Sequence, residues 1–146
     1  MIMSEGSPTK LGFICVQNAG RNQMSAAFAE RERDRRGVND GIDIITGGTD
    51  PADDVHEEVV KVMNEINIDI SGQTPRKVST EELESCDIVA TMGCSTLKID
   101  AEEIDIRDWA LDDPDNKDLE QVRVIRDEIE GRVVALFDHV GTQTTV

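Results

Sequence analysis

The chain predicts an α/β fold: a single-domain, doubly wound, four-stranded parallel sheet with helices on both faces. Three observations predict it. Short apolar runs alternate with helical patterns along the whole length. Each run closes on a turn-like cluster. No repeat, low-complexity tract or Pro/Gly-rich linker divides the 146 residues. Parallel strands need long crossovers, and right-handed strand–helix–strand units supply them while covering both faces. The length suits one domain with its own core. That domain is expected over 11–140, after a flexible segment 1–10 and before a loose tail 141–146.

The first strand is expected at Leu11–Cys15, "LGFIC". A helix follows over Asn22–Arg36, with Met24, Ala27, Phe28 and Arg31 at helical spacing and Gly37 as its stop. Ile42–Gly48, "IDIITGG", is the second strand. Asp53–Ile68 places Val55, Val59, Val62, Met63 and Ile66 on one face, with acids in its first turn. A short helix capped by Ser79 or Thr80 precedes the third strand, Asp87–Gly93. Glu103–Leu111 alternates and is expected as the fourth. Lys117–Val140 is a long helix with Leu119, Val122, Ile125, Ile129, Val133 and Leu136 as its stripe.

Charge narrows the partners. Thirty-one acidic residues against 15 basic give a net charge of -16, which repels nucleic acid backbones and anionic membranes. Aromatics are 3% with no Tyr, so a base-stacking surface has little to be built from. The acids are spread along the chain, a pattern expected of a protein adapted to high salt. No apolar run of spanning length and no signal peptide are present, so a cytoplasmic location is expected. Three Cys make a disulfide framework an unsuitable reading, and Cys15, Cys86 and Cys94 are expected as thiols. Cys86 is read as a small core residue. His56 and His139 are read as solvated helix residues, and neither a metal nor a cofactor is expected.

Open α/β sheets place their sites at the carboxyl ends of the strands. Cys15, Gly47–Thr49, Cys94, and Asp112 with Asp113 fall there. The loop from Cys15 into the helix is expected to cradle a tetrahedral oxyanion. Backbone N–H groups of Val16, Gln17, Asn18, Ala19, Gly20, Arg21 and Asn22 would converge on the guest, helped by the helix dipole. Gly20 lets the backbone curl tightly, Asn18 can brace the loop, and Arg21 can grip two oxygens with its planar fork. A helix N-terminus and a cation lower a thiol pKa from ~8.5, which makes Cys15 a candidate thiolate nucleophile.

These residues carry a resemblance. "CVQNAGRNQMSAAFAE" resembles the Cys-x5-Arg loop of the low-molecular-weight protein tyrosine phosphatase superfamily, and within it the arsenate reductases of that fold. "ITGGTDP" resembles the family's turn after the second strand, and "IDISGQTPRKVS" the segment before the third. "CDIVATMGC" with "DWALDDPDNKD" resembles the arsenate-reductase pattern of Met-Gly-Cys and Trp before Asp-Asp-Pro. The resemblance covers residues 11–138.

It implies that Cys15 is the nucleophile, Arg21 the oxyanion-binding Arg, Asn18 the bracing Asn, and Asp113, before Pro114, the general acid. Cys94 matches the first of two further cysteines used by thioredoxin-coupled arsenate reductases; "STLKID" supplies no second. The implied partners are a small oxyanion, arsenate or phosphate, and an external thiol reductant or redoxin. Asn22 stands where the family usually has Ser or Thr, whose hydroxyl donates to the thiolate. The family's monovalent-cation site draws an acid from the first helix, at a position near Ala26 here. Arsenate reduction is the leading expectation. A phosphatase using the same residues and a non-catalytic oxyanion-binding protein are the alternatives.

Overall fold

A computed structural model describes residues 9–15, 20–38, 41–48, 50–91, 105–109 and 118–144, with backbone alone at 15, 108 and 140–144. The elements are β1 (Thr9–Cys15), α1 (Arg21–Arg36), β2 (Ile42–Gly48), α2 (Glu57–Asn64), α3 (Thr80–Glu84), β3 (Ile88–Thr91), β4 (Asp105–Asp108) and α4 (Leu119–Thr144). The four strands form one parallel sheet in the order β2-β1-β3-β4, so the expected fold class is borne out.

Strand alternation splits the apolar residues between two faces. Leu11, Phe13, Ile42, Ile88 and Ala90 join the main core with α1, α2 and α4. Phe28, Val59, Val62, Met63, Val122, Ile129 and Val133 are fully buried there. Burying each such side chain contributes about 1.5–3 kcal/mol. Ile14 and Val89 point the other way, into a smaller cluster with Val78, Leu83 and Cys86. Among the described residues, three helices therefore cover one face, and α3 with its approach lies on the other.

Helix ends follow local chemistry. Gly37 stops α1 at φ 65°, the left-handed conformation that glycine adopts cheaply, and its N–H bonds the carbonyls of Arg33 and Asp34. Past α2, Asn67 takes φ 66° while the Ile68 N–H reaches back to Met63 O at 3.0 Å. Ser79 accepts from the Glu82 N–H at 3.1 Å and Glu82 returns the bond to the Ser79 N–H, a reciprocal box that starts α3.

Several boundaries differ from expectation, and α2 also stops at Asn64 rather than Ile68. β1 begins at Thr9, because the Thr9 N–H bonds Gly41 O, the Asp87 N–H bonds Lys10 O, and the Lys10 N–H bonds the Asp87 carboxylate. The chain is thus ordered two residues before position 11. α2 begins at Glu57, with half-buried His56 at its N-cap and 53–54 in a bend. His56 is therefore not a solvated helix residue, whereas His139 is exposed on α4. α4 runs through Gly141 to Thr144, so most of the tail expected to be loose is helical.

Candidate functional site

The carboxyl ends of the strands meet at one edge. Cys15 pairs in register with Gly48, Ile14 with Thr91, and Thr91 with Asp108. Five residues after Cys15, α1 opens at Gly20–Arg21. Gly20 is the N-cap, has no side chain to cap the helix, and the first turn holds no acid. With no side-chain cap from Gly20, the first turn of α1 carries the positive end of its dipole at this edge. Ser25 adds a bond from its hydroxyl to Arg21 O at 2.8 Å.

Among the expected site residues, Cys15 ends β1 beside Gly48, and Gly20, Arg21 and Asn22 open α1, whose start Asn22 ties to Gly47. Val16, Gln17, Asn18 and Ala19 lie outside the described residues, as do Thr49, Cys94, Asp112, Asp113 and Pro114. The chain enters those segments from anchored points. Thr91, three residues before Cys94, ends β3 and is buried. Trp109, four residues before Asp113, is buried, donates its backbone N–H to Thr91 O at 2.7 Å, and stacks obliquely on Phe13 with ring centroids 5.9 Å apart.

Asn22 has a role that the sequence does not announce. Its side chain is fully buried, and its amide donates to Gly47 O at 3.0 Å, strapping the start of α1 to the end of β2. Its carbonyl oxygen is buried without a hydrogen-bond partner among the described residues, a costly state for a polar atom. Hydropathy patterning assigns polar residues to solvent, so a buried Asn at a helix start goes unseen; the departure from Ser or Thr at this position was the available signal.

The glycine pair after β2 has a geometric cause. The Gly48 N–H bonds Arg76 O at 2.9 Å and the Val78 N–H bonds Gly48 O at 3.0 Å, forming a parallel bridge between Gly48 and Lys77. A Cβ on Gly47 would sit 2.8 Å from Val78 Cβ and 3.2 Å from its nitrogen, so only glycine admits this crossing. The segment 76–78 is held from below by Arg76, which pairs with Glu82 at 2.6 Å. That pair, with the Ser79 N–H, holds the Glu82 carboxyl at about 2.

Of the three cysteines, Cys86 alone has its side chain among the described residues. Cys86 is buried, donates to Glu82 O at 3.4 Å, and burial pushes its pKa up to about 11. It stays protonated and unreactive, in keeping with its reading as a core residue. Ala26 lines a cleft of about 150 Å³ with Gln23, Glu30, Thr46, Asp69 and Gln73, between α1, β2 and the residues after α2. An alanine there supplies no ligand at the position where the resemblance implies an acid. No group of three or more His, Cys, Asp or Glu able to hold a metal occurs among the described residues, and no described helix is long and apolar enough to cross a membrane.

The comparisons agree with this geometry. A provisionally named arsenate reductase of Halobacterium salinarum is 71% identical over 136 residues, covering 93% of this chain and 96% of its own. A glutaredoxin arsenate reductase of Synechocystis is 30% identical over 136 residues, covering 90% and 98%. An arsenate reductase solved in a phosphate-binding state superposes with a TM-score of 0.74 at 29% identity, over 90% of this chain and 98% of that one. A thioredoxin-dependent arsenate reductase of Corynebacterium glutamicum gives 0.79 at 26% identity, over 95% of this chain and 65% of that longer one. The model of the low molecular weight phosphotyrosine protein phosphatase family matches residues 10–146, and the chain belongs to that family.

Proposed function

We propose that the chain is an enzyme that reduces arsenate to arsenite at the expense of thiols, with Cys15 as nucleophile. The single observation that carries the reading is the pairing of Cys15 at the end of β1 with an uncapped, acid-free helix start at Gly20–Arg21. This is an arrangement that stabilises both a thiolate and an oxyanion. The relatives' arsenate-reductase names support the choice of guest. The absence of Tyr and the net charge of -16 disfavour a phosphotyrosine protein as substrate.

In the proposed reaction, loop N–H groups and the Arg21 fork bind arsenate. The Cys15 thiolate attacks arsenic, Asp113 protonates the departing oxygen, and water leaves. A second thiol then attacks the Cys15 sulfur. The sulfur–arsenic bond breaks toward arsenic, which gains two electrons and departs as arsenite, while the two sulfurs form a disulfide. Cys94 supplies that thiol if its loop brings the α-carbons within ~7 Å; otherwise an external thiol does so. An external dithiol or redoxin reduces the resulting disulfide. We read the acid excess as adaptation to a high-salt cytoplasm, a view supported by the Halobacterium relative.

The test couples arsenate turnover to a thioredoxin or glutaredoxin system in molar KCl. Wild type consumes reductant in step with arsenite release, Cys15→Ser has no activity, and Asp113→Asn is slowed about 10²–10⁴-fold. Mass spectrometry of the arrested reaction locates the second sulfur, as a Cys15–Cys94 disulfide or as a mixed adduct on Cys15. Undiminished turnover by Cys15→Ser sinks the proposal.

A further inference from the structure

We infer that the cleft between α1 and β2 does not bind the monovalent cation that the family resemblance implies, and that Ala26 is the residue that decides this. The inference goes beyond the arsenate reading and uses none of its residues. Taking an alkali cation out of water is costly unless several oxygens replace the shell it loses. In this cleft α1 offers methyl groups: Ala26 is buried and Ala27 half-buried. Ile44, Ile68 and Ile70 add more apolar surface, continuous with the main core.

The polar groups of the lining do not make up the deficit. Gln23 is buried and already has a partner. The Thr46 hydroxyl donates to Phe13 O at 3.1 Å, so it can serve a cation as one acceptor at most. Asp69 accepts the Ser71 N–H at 2.9 Å, and its bonds from Ser71 hold the carboxyl below its usual range. Asp69 and Glu30 are the carboxylates of the lining, and both are exposed. An exposed carboxylate keeps its own water, and in molar salt it attracts a cation only as a screened counterion. The donor set is therefore incomplete, with oxygens from β2 and from the segment after α2 and carbon at position 26. Ala26→Glu would add a carboxylate from the α1 side. Glu30 lies one turn further along the helix, so the added charge is repelled until a cation enters.

The experiment follows the thermal midpoint at a constant 2 M chloride while up to 100 mM tetramethylammonium is replaced by potassium or by sodium. So small a replacement leaves the bulk salt unchanged, whereas a bound ion raises the midpoint along a saturating curve. Wild type is expected to stay flat with both ions. Ala26→Glu is expected to rise by about 4 °C at ten times the dissociation constant of its cation. Ala26→Gln, of equal size and uncharged, is expected to stay flat. A saturating rise in wild type overturns the inference, and that arm needs no variant to fold. Flat curves for both Ala26→Glu and Ala26→Asp, the shorter acid, overturn the assignment to Ala26, as does an equal rise in Ala26→Gln. No oxyanion or thiol enters the measurement, so its failure leaves the arsenate reading standing.

Discussion

The two faces of the sheet are built by different means. Beneath α1, α2 and α4 lies a thick core in which Phe13, Phe28, Met24, Ile129 and Trp109 fill the space. On the opposite face the described residues are a five-residue helix and an extended segment, which lie close against the strands. Contact there is made by absence: Gly12 leaves room for the Cys86 sulfur and Gly47 for Val78. The thick face holds the fold by volume, whereas the thin one sets backbone positions, including the bridge that brings Lys77 level with Cys15. A site at the edge of such a sheet draws its stability from one side and its geometry from the other.

The largest test of that contrast is Phe13→Ala, expected to cost about 3–5 kcal/mol in urea unfolding at fixed KCl, against about 2 kcal/mol for Leu83→Ala on the thin face. Equal losses would erase the asymmetry. Next comes Gly12→Ala. Its new Cβ would lie 2.9 Å from the Cys86 sulfur, and overpacking of this kind costs about 1–3 kcal/mol. Cys86→Ala should recover most of it in the double variant, and an additive pair would show that the apposition is not what excludes a side chain.

A smaller effect belongs to the cap: Ser79→Ala removes one half of the reciprocal box, about 1 kcal/mol, and loosens the segment that carries Lys77. The smallest is a pH effect. The Glu82 carboxyl is lowered by the Arg76 pair first and by the Ser79 N–H next, from 4.5 to about 2. A depressed carboxylate stabilises the fold above its unfolded pKa, and this is lost as pH falls from about 4.5 toward 2. Acid titration of Glu82→Gln should lack that component; an identical acid profile would show the pair to be idle in solution.

The four strands, the α1 stop at Gly37 and the α4 stripe were legible because they are local: period, cap and glycine suffice. The boundaries at Thr9, Glu57 and Thr144 were not, since each is decided by a partner far along the chain or by weak end effects. The candidate site divides the same way. A cysteine, a glycine and an arginine between strand and helix could be read directly. The burial of Asn22 against Gly47 and the bridge from Gly48 to Lys77 depend on residues 25 and 29 positions away, and a single bridge has no period to detect. Buried polar groups of this sort break the hydropathy pattern where function asks for it.

The clasps between helices have a consequence for how this chain can change. Arg126 gives one nitrogen to Val62 O at 2.7 Å and to Glu65, which Arg123 also grips, and Arg31 and Arg36 join α1 to Glu130 and Asp138 on α4. Where anions outnumber cations two to one, an acid lost by mutation has more neighbours ready to stand in for it than a lost arginine has. Drift should therefore run easily through the carboxylates and be halted at the guanidiniums.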